Sequence, residues 1–187
     1  MEGDQIMREV VSRSTILTNA SLEYLKGYID GNARQWGVPT IASVEMGYRD
    51  IFTGVRDFPA IIGIVRSRKE HDSFSTSYHM LYGLALKGAD IDLLQEEGER
   101  YADLLEDAVR MDGHLGGIAI ETTGVTVTTD CTGGFYIISL ECDVLVDRGA
   151  FANQQEEQEE ENKEELSRNT EEDTDAEKNM EMRDLRC

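Results

Sequence analysis

The chain has 187 residues, of which 38 are acidic and 18 are basic, so its net charge at neutral pH is −20. This length is enough for one domain with a hydrophobic core and one additional segment. The negative charge argues against a nucleic-acid-binding protein that works by neutralising phosphates, because the phosphate backbone would be repelled.

The N-terminal part of the chain predicts helical structure. Between residues 4 and 35, apolar residues recur at the three–four spacing of an amphipathic helix. The Thr-Asn-Ala-Ser sequence at 18–21 is typical of a break followed by a new N-cap, so we expect one short helix and one longer helix. Residues 38–58 have no sustained period and predict a loop that contains a short strand or helix.

Two strands follow this loop. An apolar run at 59–66 predicts a buried strand with Pro59 at its start, where a missing N–H is tolerated. Residues 73–88 alternate between apolar and polar side chains, which indicates a second strand with one buried face. Because this strand exceeds the usual length, we expect it to project from the body as a hairpin arm.

The next part of the chain predicts a helix and a β-hairpin. Residues 89–113 carry an apolar stripe opposite an acidic face, with Asp90 or Asp92 as the N-cap. Residues 117–129 are β-branched, and 133–149 again alternate with period two. The glycine-rich turn between them predicts that the two strands pair as a hairpin.

This order of elements defines the expected fold. Helix–strand–strand–helix–strand–strand over residues 1–151 predicts an α+β domain, with a small, mostly antiparallel sheet and helices packed on one face. Residues 152–187 contain 14 acidic and 5 basic residues and almost no aliphatic ones. They cannot bury enough apolar surface to offset ordering entropy, so we expect a disordered acidic C-terminal tail.

The sequence contains no pattern typical of a catalytic or metal site. The three histidines, at His71, His79 and His114, lack metal-binding spacing. The glycine-rich segment 113–121 follows a helix and precedes a strand, the reverse of a phosphate-binding loop. We therefore expect no catalytic residues, no metal, no cofactor and no enzymatic activity.

Cysteine usage and hydropathy indicate the compartment. The three cysteines, Cys131, Cys142 and Cys187, form no C-x-x-C pair and suggest no disulfide framework. We expect no signal peptide, because the N-terminus is charged, and no membrane-spanning segment, because the apolar runs are too short. We expect the protein to fold in a reducing cytoplasm without membrane insertion.

Several segments between Asp57 and Arg148 match, in order and pattern, those of a known family. They are RDFPAIIGIV, STSYHMLYGLALKG, the acidic helix IDLLQEEGERYADLLEDAVRMD, an LGG connection, and the final strand GGFYIISLECDVLVDRG. This half of the chain resembles the small tail-terminator proteins, also called tail-completion or neck proteins, of long-tailed bacteriophages and related archaeal viruses. The longer N-terminal helical region and the acidic tail depart from that pattern.

The resemblance implies a structural virion protein. Such a protein forms a ring, usually of six copies, that caps the tail tube and joins it to the head connector. The implied partners are other copies of the chain, the tail tube protein and the head-completion or connector protein. DNA would pass through the channel without specific binding, and no membrane is involved. The implied location is the virion tail or neck, after assembly in the host cytoplasm.

A ring requires a head-to-tail interface between copies. Long strands with free edges can supply one by extending a sheet from subunit to subunit. We therefore expect the strands 73–88 and 135–147 to provide the subunit contacts. The candidate contact residues are Phe74, Tyr78, Met80, Tyr82, Phe135, Ile137 and Leu145.

Three other functions stay open at this stage. A tail-tube or minor tail subunit would polymerise into an open stack instead of closing as a ring. A non-viral, ferredoxin-like ligand-binding or regulatory domain would be a monomer or dimer with a concave pocket. An enzyme that uses acidic residues to hold a divalent metal would gain stability from that cation.

Overall fold

A computed structural model describes residues 11–47 and 54–151 of the chain. The expected disordered tail at 152–187 and the first residues of the expected N-terminal helix lie outside these ranges. The domain described below belongs to the compact unit Met1–Arg148, and a second unit begins at Gly149. The elements in chain order are α1 (Arg13–Trp36), β1 (Ser43–Met46), β2 (Ala60–Glu70), β3 (Ser75–Lys87), α2 (Ile91–Met111), β4 (Glu121–Thr132) and β5 (Phe135–Asp147).

The five strands form one sheet in the order β1-β2-β3-β5-β4. β1 runs parallel to β2, and all other neighbours are antiparallel. The expected α+β class with a mostly antiparallel sheet is therefore confirmed. Within the described residues, the element order is α-β-β-β-α-β-β, whereas ferredoxin-like domains have the order β-α-β-β-α-β.

Both helices cover the same face of the sheet. A Cβ atom on Gly63 of β2 would lie 3.0 Å from Leu22 and Thr18 of α1, and one on Gly98 of α2 would lie 2.2 Å from the Tyr136 ring of β5. The side chains on this face of β3 and β5 are buried, as their alternation predicts. They are Thr76, Tyr78, Met80, Tyr82, Leu84 and Leu86 in β3, and Tyr136, Ile138, Leu140, Cys142, Val144 and Val146 in β5.

The N-terminal helix is continuous, so the predicted break at 18–21 is wrong. Ser12 is the N-cap, and its Oγ accepts a hydrogen bond from the Thr15 amide at 3.2 Å. The Thr18 hydroxyl donates to the Ser14 carbonyl at 2.8 Å, and the Ser21 hydroxyl donates to the Thr18 carbonyl at 3.1 Å. These hydroxyls are thus satisfied within one helix, and both side chains are buried against the sheet.

The β2–β3 hairpin does not project as an arm. β3 pairs with β2 on one side and with β5 on the other, and all thirteen of its residues have a partner in β5. β2 continues to Glu70, beyond the predicted end at 66, because its polar residues still pair with β3 through the backbone. Of the short strand or helix expected within 38–58, a strand is present as β1, and residues 48–53 lie outside the described residues.

The second helix begins and ends at acidic residues. The Asp90 carboxylate accepts hydrogen bonds from the Asp92 and Leu93 amides at 3.1 and 3.2 Å, which identifies Asp90 as the N-cap. Asp112 follows the last turn and accepts from two amides of the next loop. The predicted apolar stripe of α2 is buried and consists of Leu94, Tyr101, Leu104, Leu105, Ala108 and Val109.

The C-terminal hairpin begins later than the sequence suggests. Residues 115–117 have positive φ angles and form the connection from α2, so β4 starts at Glu121 instead of 117. Gly133 and Gly134, with φ of 60° and 80°, form the two-residue turn into β5. Glycine adopts such angles without steric strain, which accounts for the pair at this turn.

Candidate assembly interface

The sheet ends at β4, which pairs with β5 along one side. Among residues 11–47 and 54–151, no strand pairs with its other side. β4 is twelve residues long and carries no buried side chain: nine of its residues are exposed and three are partly exposed. An exposed edge of this length presents unpaired N–H and C=O groups that another chain can use as a template.

The composition of β4 favours pairing with another strand. Eight of its twelve residues are threonine or valine, which suit a pleated strand, and the strand contains neither lysine nor proline, two residues that protect edges. A register shift lies between Thr123 and Thr126, with Gly124 at a φ of 64°. This bulge disrupts the first part of the edge and leaves Thr126–Thr132 regular.

The hairpin turn determines which backbone groups of β4 point outward. Thr132 and Phe135 flank a two-residue turn, and residues in that position exchange hydrogen bonds with each other. Because the direction alternates along an antiparallel strand, Cys131, Thr129 and Val127 direct their N–H and C=O groups away from β5. These three residues form the regular outer edge that is available for pairing.

The other edge of the sheet is β1, which has four residues and runs parallel to β2. Its side chains Val44 and Met46 are 39% and 44% exposed, and are large apolar groups in contact with solvent. The two edges differ in length and surroundings, so the β4 edge of one copy could meet the β1 edge of the next copy in a head-to-tail contact.

The face of the sheet opposite the helices, which we call the open face, has an apolar end and a charged end. At the apolar end, Val55, Ala60 and Ile62 are buried with Phe58 and Ile64 packed against them.

The charged end of the open face joins three strands through ionic contacts. His79 Nδ1 lies 3.0 Å from Asp143 Oδ1, and Arg66 Nη1 lies 3.3 Å from Glu141 Oε1. These side chains are between 35% and 53% exposed, so such pairs contribute little to stability and leave the surface accessible to a partner.

The structure separates the seven candidate contact residues into two groups. Tyr78, Met80 and Tyr82 are at most 1% exposed and lie beneath the helices. Phe135 is buried on the open face, where its ring contacts Phe58 edge to face, with 5.5 Å between the centroids. These four side chains serve the interior of the domain and offer no surface to a second subunit.

The remaining three candidates are accessible but are not brought together. Phe74 is 77% exposed in the β2–β3 turn. Ile137 and Leu145 are partly exposed on the open face and lie opposite Asp130 and Glu121 of β4.

The expectation that 73–88 and 135–147 extend the sheet between subunits is wrong. These strands are β3 and β5, and both are paired on their two sides, so neither has a free edge. The sequence predicts β4 as a strand but not as the contact strand, because strand order cannot be obtained from local periodicity. One feature could have indicated it: 121–132 is rich in β-branched residues but lacks the apolar alternation of a strand with a buried face.

Two kinds of chemically reactive side chain, metal ligands and thiols, can be assessed in the described residues. Across 11–47 and 54–151, no group of three or more His, Cys, Asp or Glu side chains is arranged to hold a metal ion. Burial raises the pKa of the Cys142 thiol to about 12, so this thiol stays protonated and unreactive at neutral pH. Neither helix of the described residues combines the length and hydropathy needed to cross a bilayer.

No protein-family model matches the chain, and no curated protein matches it.

Proposed function

We propose that the protein is a structural virion subunit that assembles with its own copies into a closed ring. The ring would cap a tail tube and join it to the head connector, with a central channel for DNA. The observation that carries this proposal is the outer edge of β4, which is long, regular from Thr126 to Thr132 and unpaired within the described residues.

Two further observations support this role. The segments between Asp57 and Arg148 resemble those of tail-terminator proteins in order and pattern, and they lie in a domain of the α+β class. The chain has a net charge of −20, so its surface repels phosphates and would let DNA pass without holding it.

The ring requires β4 to meet a different surface of its neighbour. Pairing of β4 with β4 would be isologous and would stop at a two-fold dimer. Pairing of β4 with the β1 edge of the next subunit is heterologous and propagates, and it closes when the rotation per subunit divides a full turn. We therefore assign β4 and β1 to the two sides of the subunit contact.

The assembly state of the full chain tests this proposal. Negative-stain microscopy and light-scattering mass would be measured on concentrated protein at low and high salt, with and without magnesium. Closed rings of one copy number with a central hole are expected. Open filaments would favour a tail-tube subunit instead, and a strict dimer or monomer under every condition would overturn self-assembly through β4.

A variant at Thr129 tests the strand itself. Proline at this position removes an N–H that points away from β5, but every N–H that donates to β5 is kept. Thr129→Pro should therefore abolish rings. Thr129→Val keeps the backbone N–H and should still assemble. Thermal unfolding followed by circular dichroism would establish that both variants fold. Rings formed by folded Thr129→Pro would exclude β4 as the contact.

A further inference from the structure

The hydrogen bonds between β1 and β2 determine which residues of β1 can pair with a further strand. The Gly47 amide donates to the Gly63 carbonyl at 3.1 Å, so Gly47 directs its backbone groups toward β2. Because this direction alternates along a strand, Val44 and Met46 direct their N–H and C=O groups away from β2. These two residues form the outer edge of β1.

The side chains of this outer edge lie on the face of the sheet that the helices cover. Met46 pairs in register with Gly63, whose Cβ position would lie 3.0 Å from Leu22 and Thr18 of α1. A cavity of about 250 Å³ lies on the same face between α1 and β1, and Met46 and Thr18 are among its lining residues. Val44 lies two residues before Met46 and therefore shares its face. The β1 edge thus presents an apolar layer beside a cavity.

The outer edge of β4 carries its side chains on the same face. Val127, Thr129 and Cys131 direct their backbone groups away from β5, and their partners in β5 are buried beneath the helices. Residues that lie opposite each other in neighbouring strands have side chains on one face of the sheet. On both edges, the residues with outward backbone groups therefore have side chains on the helix-covered face.

This shared direction determines how the two edges can join. In an antiparallel pair, two outward residues lie opposite each other and their side chains share a face. In a parallel pair, an outward residue lies opposite one whose backbone groups point away. Antiparallel pairing of β4 with β1 therefore places the helices of both copies on one side of a continuous sheet, whereas parallel pairing would place them on opposite sides.

The strand directions of the domain select the antiparallel arrangement in a ring. β1 is parallel to β2, and each of the three following neighbours in the sheet reverses direction, so β4 runs antiparallel to β1. Rotation about a ring axis changes neither the direction of a strand nor the side on which the helices lie. β4 of one copy would thus meet β1 of the next copy antiparallel, as the backbone groups of both edges require.

The regular part of β4 allows two registers in which both outward residues of β1 lie opposite outward residues of β4. The first register places Met46 opposite Thr129. It also places Glu45 opposite Asp130, and like charges directly opposite each other destabilise a strand pair. Electrostatic repulsion therefore disfavours this register.

We propose that β4 and β1 of adjacent copies pair antiparallel in the second register, which places Val127 opposite Met46. Glu45 then lies opposite the uncharged Thr128. The partly exposed Val127 extends the apolar layer of the β1 edge next to the cavity, so the sheet and the layer beneath the helices continue from copy to copy. The register rests on the proposed ring contact, because it requires that copies meet through these two edges.

Disulfide cross-linking of the full chain tests the register. The second register places Val44 opposite Thr129, with their Cα atoms about 5.5 Å apart, a distance that a disulfide spans. The test variant combines Val44→Cys and Thr129→Cys with Cys131→Ser and Cys187→Ser, and it keeps the buried Cys142. Oxidised glutathione should convert this variant into a ladder of linked chains on a non-reducing gel, and reduction should return it to single chains.

A matched variant tests the other register. It combines Val44→Cys and Cys187→Ser with the native Cys131, which lies opposite Val44 in the first register. In the second register this pair is diagonal, with Cα atoms about 7–8 Å apart, too far for a disulfide without backbone movement. The matched variant should therefore stay as single chains. Both variants keep Glu45 and Asp130, so the repulsion that selects the register is preserved.

Microscopy of the reduced variants separates failure of the register from failure of the ring. A ladder from the matched variant but not from the test variant would overturn the register and leave β4–β1 pairing in place. Closed rings with no ladder from either variant would overturn the pairing of these edges and leave the ring itself. Absence of both rings and ladders would overturn the proposed function together with the register.

Discussion

Gly98 determines how closely α2 approaches the sheet. A Cβ atom at this position would lie 2.2 Å from Cδ1 of Tyr136, well inside contact distance. The Tyr136 hydroxyl donates to Glu99 Oε1 at 2.6 Å, so the ring is fixed against the helix and cannot turn away without losing this bond. The tight contact between α2 and β5 therefore depends on the absence of a side chain.

Substitution of two helical glycines should have opposite effects. Gly98→Ala should lower the free energy of unfolding by about 1–3 kcal/mol, because overpacking outweighs the helix preference of alanine. Gly27 of α1 is exposed and has nothing within 4 Å of its Cβ position, so Gly27→Ala should raise that free energy by roughly 0.5–1 kcal/mol. Urea unfolding compares the two. A stabilising Gly98→Ala would mean that the contact with Tyr136 is looser than described.

At this scale the sequence predicts which side chains share a face but not what covers that face. The alternation in 73–88 places Tyr78, Met80 and Tyr82 together, and the structure confirms it. A domain core and a subunit contact both bury an apolar strand face, so alternation alone cannot distinguish them. The helices supply the cover here, which only the tertiary structure reveals.

The positions of the strands along the chain were easier to predict than the order of the strands in the sheet. Alternation located β3 and β5, and β-branched composition with a glycine turn located β4, because these properties are local. Strand order is not local: β5 lies between β3 and β4, so the crossover through α2 skips one strand position. The predicted contacts on β3 and β5 therefore fell on central strands, while β1 and β4 form the edges of the sheet.

The β2–β3 turn contains an acid-sensitive contact. Asp72 Oδ1 accepts hydrogen bonds from the Phe74 and Ser75 amides, both at 2.7 Å. These bonds, first that from Phe74, lower the pKa of Asp72 below the value for a free side chain. The ionised form is thus preferred in the folded state, and the turn is more stable when Asp72 is charged.

Acid should weaken this turn in a defined direction. An unfolded aspartate has a pKa of about 3.9, so the contribution of Asp72 is complete above that pH and is lost as the pH falls through the lower folded pKa. Asp72→Asn keeps an acceptor but cannot titrate, and its stability should fall less steeply below about pH 4. Urea midpoints between pH 6 and 2.5 would compare the variant with wild type. Parallel curves would contradict this role for Asp72.

Charge distinguishes the two parts of the whole molecule. Residues 1–151 carry a net charge of −11 and residues 152–187 carry −9, so about one fifth of the chain holds nearly half of the net charge. An acidic body suits a channel that DNA crosses, and the free β4 edge suits repeated subunit contacts. The free edge also creates a conflict, because the strand that would build the ring can promote association that is not limited to the ring.

The acidic segment 152–187 resolves this conflict if its charge limits further association. Its deletion should increase self-association at low salt, where like-charge repulsion extends over a Debye length of about 30 Å at 0.01 M. At 0.5 M salt the truncated and full chains should behave alike. Sedimentation velocity and light-scattering mass would measure both chains at the two salt concentrations.

A tail of reduced charge separates charge from chain length as the cause. Replacing the seven glutamates of 156–165 with glutamine keeps the length of the full chain and removes most of the net negative charge of the tail. If repulsion limits association, this variant should associate at low salt as the truncated chain does. If it stays as monodisperse as wild type while the truncated chain associates, steric exclusion is the cause. If both altered chains stay monodisperse, the tail has no part in limiting assembly, and the bulge at Gly124 is left as the structural device that restricts the β4 edge.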